Sequence, residues 1–412
     1  MNVSKMAQPL QMAMKGLGEE SPIRVIVRYR EASPPPDRLV GKAVDVHAYR
    51  LVPCTSLQTT VEGVQALSGD PTVEQVWLDE WLHTCLDVSA PLIRAPQVWD
   101  AGRRGAGIRV GVVDTGIDAD HPDFAGRVLA ARSFVGGEPR DDNGHGTHVA
   151  GIIGGSGQAS GGRYRGVAPE VFLYVAKVLR ADGSGLMSSV MAGVEWVVDQ
   201  GAQVVNLSLG GIGPCNGTDA LSLLCDAVVE LGVVVCVAAG NTGPGPATVG
   251  PPGCARQVIT VGASDDHDRI ADFSSRGPTL DGRVKPDLVF PGAGIVACRA
   301  QGSNLGKAVD ARYTSASGTS MATPHASGAA ALLLETSPGL TPGQVKALLQ
   351  RTAVSLGLDP NAQGSGRGDV LAAHASIAGP GPVPTPPPTP PAEPGGCLTA
   401  LLRALRLGGG QA

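Results

Sequence analysis

Three stretches of this chain, residues 110–113, 204–209 and 233–238, are predominantly apolar runs that lack a strict polar alternation. A strand with one face in water alternates apolar and polar residues, whereas a strand covered on both faces does not. Helical stretches near 148–155, 187–200 and 219–231 separate the runs. That order predicts an α/β fold class: a parallel sheet with helices on both faces, whose ligands gather at the carboxyl ends of the strands. Two of these ends carry chemistry. Val110-Gly111-Val112-Val113 leads into Asp114 and the turn Thr115-Gly116, and Val237-Ala238-Ala239-Gly240 leads into Asn241.

A further constraint lies at Gly318-Thr319-Ser320-Met321-Ala322-Thr323-Pro324-His325. The following residues, 326–334, are apolar nearly all round, which describes a helix buried in the middle of a core. Pro324 fits that helix only near its start. Ser320 then sits in the first turn, beside unpaired N–H groups and the positive end of the helix dipole, where developing negative charge is favoured. A serine there can also simply cap the helix. Asn143-Gly144-His145-Gly146-Thr147-His148 places a histidine between glycines at the entry to another apolar helix. Asp114, His145 and Ser320 together supply a nucleophile, its base and a group to orient the base.

These motifs resemble the subtilisin family of serine proteases over residues 90–378, a family whose triad runs along the chain in this same order of Asp, His and Ser. The resemblance implies that Asp114, His145 and Ser320 are catalytic, and that the Asn241 amide and the Ser320 backbone N–H form the oxyanion hole. It also implies two extended substrate-pairing segments, Gly183-Ser184-Gly185 and Ser208-Leu209-Gly210, and a pocket floor beginning at Gly250. No charge stands in 249–254, so a large apolar residue is expected before the scissile bond. Met187, Val190 and Leu209 are expected to line a second apolar pocket. Asp123 matches a calcium ligand of the family, beside Asp118 and Asp120. The partner loop 156–162 lacks the customary oxygens, however, and calcium needs six to eight. Calcium is therefore possible at Asp123, and no cofactor is required. His148 and His325 are expected to be structural, and His121 solvated.

Upstream, residues 1–20 read as a loose leader. Residues 23–29 alternate as a half-buried strand, 58–67 are helical in pattern, and 73–79 form a second strand after Gly69-Asp70-Pro71. Residues 21–85 resemble the family's inhibitory propeptide, a small α+β domain, which implies an intramolecular inhibitor and self-cleavage within 80–87, favouring the Cys85-Leu86 bond. The peptidase domain spans 86–378. Residues 379–396 contain nine prolines and read as an extended linker. In the tail, 397–412, Leu398, Leu401, Leu402 and Leu405 fall at helical spacing with Arg403 and Arg406 nearby. That short amphipathic segment is a candidate for contact with a membrane surface or a partner.

Composition removes other classes. The net charge of −5 gives no electrostatic case for nucleic acid. No run reaches the roughly 18 apolar residues of a membrane span, and no signal peptide is visible near Met1. An extracellular location follows from the resemblance alone, and a cytoplasmic one stays open. The eight cysteines do not settle it: Cys236 and Cys298 read as small buried hydrophobes, and one disulfide among Cys215, Cys225 and Cys254 is possible. The expectation is a monomeric serine endopeptidase of broad specificity, made as a self-processing zymogen and acting on proteins and peptides. A peptide ligase or cyclase on the same fold, or an inactive binding scaffold, are the alternatives.

Overall fold

The computed structural model describes residues 2–30, 43–79, 81–84 and 89–378. Its first sheet is antiparallel, with the order β2-β3-β1-β4, from β1 (Pro22–Tyr29), β2 (Val44–Ala48), β3 (Cys54–Thr60) and β4 (Val73–Leu78). Alternation along β1 serves two cores. Val25 and Val27 pack with Val64 and Leu67 of α2 (Val61–Gly69), while Ile26 faces the main body of the protein. Residues 58–60, expected to open a helix, instead end β3. Their β-branched Thr59 and Thr60 favour a strand, and Thr60 caps α2 by accepting from the Gly63 N–H.

The supposed loose leader is ordered. Val3–Lys5 forms a 3-10 turn and α1 spans Gln8–Met14. Met6 and Leu10 are buried in the same core as Val25, and the Ala7 N–H donates to the Val76 carbonyl at 3.0 Å. Apolar spacing over so short a segment gives no periodic signal, but the sheet behind it offers a surface to bury.

After β5 (Trp81–Thr84) and α3 (Ala95–Asp100) comes a seven-stranded sheet in the order β14-β13-β12-β10-β6-β8-β7, every pair parallel. Its strands are β6 (Arg109–Asp114), β7 (Val128–Ser133), β8 (Phe172–Lys177), β10 (Val204–Leu207), β12 (Val234–Ala238), β13 (Ile259–Ser264) and β14 (Leu288–Pro291). The helices are α4 (His145–Gly154), α5 (Met187–Asp199), α6 (Ala220–Glu230), α7 (Thr319–Thr336), α8 (Pro342–Arg351), α9 (Pro360–Gln363) and α10 (Val370–Ala375).

Why the runs lack alternation is now visible. Val110 and Val112 of β6, with Val234 and Cys236 of β12, pack on α4 and α7; Val113, Val235 and Val237 pack on α5 and α6. Both faces are covered, so both sets must be apolar. α7 is buried from Thr319 to Leu334, as its sequence requires. Two short ladders complete the fold: β9 (Ser184–Leu186) and β11 (Leu209–Gly210) flank β5, and β15 (Ala293–Cys298), β16 (Lys307–Ala308) and β17 (Tyr313–Ser317) form a hairpin sheet that runs directly into α7. No helix among the described residues is long and apolar enough to cross a membrane.

Candidate active site

Asp114 ends β6 and His145 begins α4, and the architecture brings their side chains together. The His145 Nδ1 lies 2.7 Å from Asp114 Oδ1, with both side chains fully buried. Glycine is required next to the histidine: a Cβ on Gly146 would lie 2.2 Å from the Gly116 carbonyl oxygen, so only glycine lets the start of α4 sit against the turn after β6.

Asp141, which no sequence motif singles out, organises this corner. Its Oδ1 accepts from the Thr115 hydroxyl at 2.8 Å and the Gly144 N–H at 2.7 Å, and its Oδ2 accepts from the Thr147 N–H at 2.8 Å and hydroxyl at 2.6 Å. The Thr115 hydroxyl oxygen in turn accepts from the Gly146 N–H at 2.8 Å. One carboxylate therefore ties the Asp114 turn to the His145 helix. An acid two residues before Asn143-Gly144 is the available signal, since such side chains commonly bond the backbone just ahead of them.

Ser320 occupies the first turn of α7. Its hydroxyl donates to the Ser208 carbonyl at 2.6 Å, and the Ser208 hydroxyl donates to the Ser320 carbonyl at 2.6 Å. Asn206 donates from Nδ2 to the Ser208 hydroxyl at 2.9 Å and accepts from Ser327 at 2.8 Å. This buried polar chain fixes the helix against β10. Asn206 and Ser327 carry no comparable sequence signal, because their pairing crosses 121 residues of chain.

Asn241 follows β12 and is anchored by that same helix. Its Oδ1 accepts from the Thr319 N–H at 2.9 Å and from the Thr319 hydroxyl at 3.1 Å. Because both partners donate there, the side-chain oxygen must face Thr319 and the Nδ2 donor is turned away from it. The candidate oxyanion donor is thus oriented by the residue next to Ser320.

The remaining expected residues gather around β5. Ser184 and Gly185 lie on β9, Leu209 and Gly210 lie on β11, and β5 runs antiparallel between them, pairing His83 with Ser184, Leu82 with Gly185 and His83 with Gly210. Gly183 enters β9 from a turn with φ 79°. Met187, Val190 and Leu209 share one buried cluster. Gly250 approaches Gly211 so closely that a Cβ would lie 2.1 Å from its carbonyl oxygen. The favoured Cys85-Leu86 bond and the tail, 379–412, lie outside the described residues.

The calcium expectation at Asp123 does not fit. The carboxylate is buried among donors: it accepts from the Ala159 N–H at 2.9 Å, the Tyr313 hydroxyl at 2.9 Å and the Cys298 thiol at 3.5 Å. Calcium would need oxygens where these hydrogens point. His121 is not solvated but buried; one ring nitrogen meets the Arg312 carbonyl at 2.9 Å and the other accepts from the Asp123 N–H at 3.2 Å. His148 bonds the Thr314 carbonyl at 3.1 Å, and His325 the Met321 carbonyl at 2.7 Å. Burial pushes His148 down to about 3 and His325 down to about 4, so both are neutral structural groups.

Comparison with known proteins agrees with this geometry. The family described as "Subtilase family" matches residues 105–368. Serine protease AprX of Bacillus subtilis (strain 168) is 40% identical over 77% of this chain and 78% of its own length. Subtilisin DY of Bacillus licheniformis is 41% identical, covering 65% of this chain and 91% of its own length. Subtilisin E of Bacillus subtilis (strain 168) is 38% identical, covering 72% and 74%. The chain belongs to the subtilase family of serine proteases, and it is a serine endopeptidase, a hydrolase whose substrates are proteins.

Two outcomes follow. With His148 and His325 depressed below an ordinary 6.5, the unfolded chain binds more protons than the folded one between about pH 6.5 and 3. Stability is therefore lost as pH falls through that window, by on the order of 1–2 kcal/mol per imidazole between pH 8 and pH 5. Urea unfolding of the Ser320→Ala protein should show this loss, and His148→Gln should reduce it. Separately, EDTA is expected to leave the thermal midpoint unchanged, whereas Tyr313→Phe, which strips a donor from Asp123, should cost about 1–3 kcal/mol.

Proposed function

We propose that the chain hydrolyses peptide bonds through an acyl-enzyme formed on Ser320, and the observation that carries this reading is the buried 2.7 Å contact between His145 and Asp114. A carboxylate at Nδ1 holds the imidazole in the tautomer whose Nε2 accepts a proton, and stabilises the cation that results. His145 takes the Ser320 proton as the hydroxyl attacks the carbonyl, and later gives a proton to the leaving amine. Water then repeats the sequence on the acyl-enzyme. The Asn241 amide, steadied by Thr319, and the Ser320 N–H supply hydrogen bonds to the oxygen that becomes negative.

The N-terminal sheet acts in this proposal as an inhibitor of its own enzyme. Supporting it, β5 occupies the space between β9 and β11 as a substrate strand would. The sheet is also docked by polar contacts at both ends of α5. The Asp79 carboxylate accepts from the Ser188 N–H at 2.8 Å and hydroxyl at 2.6 Å, capping a helix that has no cap of its own. Glu195 accepts from the Arg50 and Leu51 N–H groups at 2.8 and 2.9 Å. Cleavage after this segment, within 80–87, then frees the cleft. The neutral floor at Gly250 and the apolar wall of Met187, Val190 and Leu209 support a preference for large apolar residues. The Cys215–Cys254 disulfide supports an oxidising, extracellular compartment.

Intact mass followed in time, beside Ser320→Ala and with casein present, tests this reading. Only the unmutated chain should lose roughly 85 residues, the length up to the 80–87 window, and then digest substrate. Asn241→Leu should process slowly and lower kcat by about 10²–10³ with little change in KM. Processing by the Ser320→Ala chain alone would contradict the assignment.

A further inference from the structure

The pocket floor is held by something other than the main cores. Residues Ala239, Val249 and Cys254, with Cys215 packed on them, form a small apolar cluster of their own, apart from the two large clusters on either side of the parallel sheet. Cys254 closes the segment that begins at Gly250, and Cys215 lies in the loop that continues from β11. The disulfide between them joins residues 39 apart in sequence. It therefore links the floor expected beneath the residue before the scissile bond to the strand expected to pair with substrate backbone.

Other contacts run along the same seam. The Gly211 N–H donates to the Pro251 carbonyl at 2.7 Å. Arg283 donates from Nη2 to the Asn216 carbonyl and to the Cys254 carbonyl, both at 2.8 Å, so one guanidinium spans both segments. Asp281 fixes that guanidinium through Nε at 2.9 Å, and the Leu280 N–H donates to the Cys215 carbonyl at 2.9 Å. The other cysteines among the described residues, Cys54, Cys225, Cys236 and Cys298, are buried free thiols, and burial pushes Cys54 and Cys236 up to about 12. They are poor partners for exchange.

We propose that the Cys215–Cys254 disulfide and Arg283 are positioning residues for the primary specificity pocket, so that recognition of a large residue before the scissile bond depends on the oxidised bond. The proposal rests on the reading of Gly250 and 208–210 as substrate-binding. A large side chain inserts between floor and strand and senses their separation. An alanine stops short of the floor and does not. Reduction by a dithiol transfers two electrons and two protons to the bond, gives two thiols, and leaves the reductant as its cyclic disulfide; floor and strand are then joined only by hydrogen bonds.

The test uses the processed enzyme and two peptides that differ only in Phe or Ala before the scissile bond. kcat and KM are measured for the oxidised enzyme, the dithiol-reduced enzyme with two new thiols counted, the Cys215→Ser/Cys254→Ser variant and Arg283→Met. The expected result is a KM for the Phe peptide raised about tenfold on reduction and in the double variant, and less in Arg283→Met. kcat and both constants for the Ala peptide should stay within about twofold, since uniform binding is lost without loss of transition-state contacts. Should the double variant not fold, reduction of the native enzyme and Arg283→Met still decide the matter. An unchanged Phe-to-Ala ratio with only a lowered unfolding midpoint overturns the proposal and leaves the bond a stabilising staple. An oxidised enzyme with no preference for Phe overturns the pocket reading itself, and the proposal with it.

Discussion

The contact on which the rest depends is the hydrogen bond between His145 and Asp114, made where neither side chain meets water. Away from bulk solvent, a carboxylate and an imidazole interact strongly, but taking the carboxylate out of water is costly unless its partners are held in place. The fold supplies that placement in layers. A parallel sheet sets Asp114 at a strand end, a glycine permits α4 to start against the neighbouring turn, and Asp141 ties turn and helix with hydrogen bonds to Thr115, Gly144 and Thr147. Ser320 and Asn241 are set by a second layer, the buried chain from Ser327 through Asn206 to Ser208 and the link from Asn241 to Thr319. Rigid elements, not loops alone, carry each candidate group.

The parts of this arrangement that are legible in the sequence share a physical cause. Strands buried on both faces cannot hide their composition, so β6, β10 and β12 are readable, as is α7 with its apolar circumference. Where burial is one-sided or the element is short, the signal fails. β3 spells Cys54-Thr55-Ser56-Leu57-Gln58-Thr59-Thr60, polar enough to pass for a turn and a helix start, and α1 is too short for a period to register. The 204–209 run reads as one strand, whereas β10 ends at Leu207 and β11 resumes at Leu209, with the Ser208 carbonyl left to accept from Ser320.

Residues whose role is to hold others are the least legible. Asp141 and Asn206 act through partners distant in sequence, and nothing in their neighbourhoods announces a pairing that only the fold creates. Asp123 shows the reverse error: the residue type matches a metal ligand, but its surroundings, Tyr313, Cys298 and the Ala159 N–H, turn the same carboxylate into a hydrogen-bond hub. Cys215 and Cys254 are two of three possible partners, and only three-dimensional closeness distinguishes them from Cys225, which is buried in α6.

The N-terminal sheet shows how the two halves of the chain use one principle. Helix α5 lacks a cap from its own Leu186, and Asp79 completes it from the other sheet, so docking satisfies backbone groups that would otherwise need water. The central claim, that Ser320 is a nucleophile activated through His145 and Asp114, is tested most directly by reacting the processed enzyme with a fluorophosphonate and mapping the adduct by peptide mass. The account predicts one phosphonyl group per chain, on Ser320, with none formed in His145→Ala. An adduct on another residue, or undiminished labelling of Ser320 in the His145→Ala protein, would contradict it.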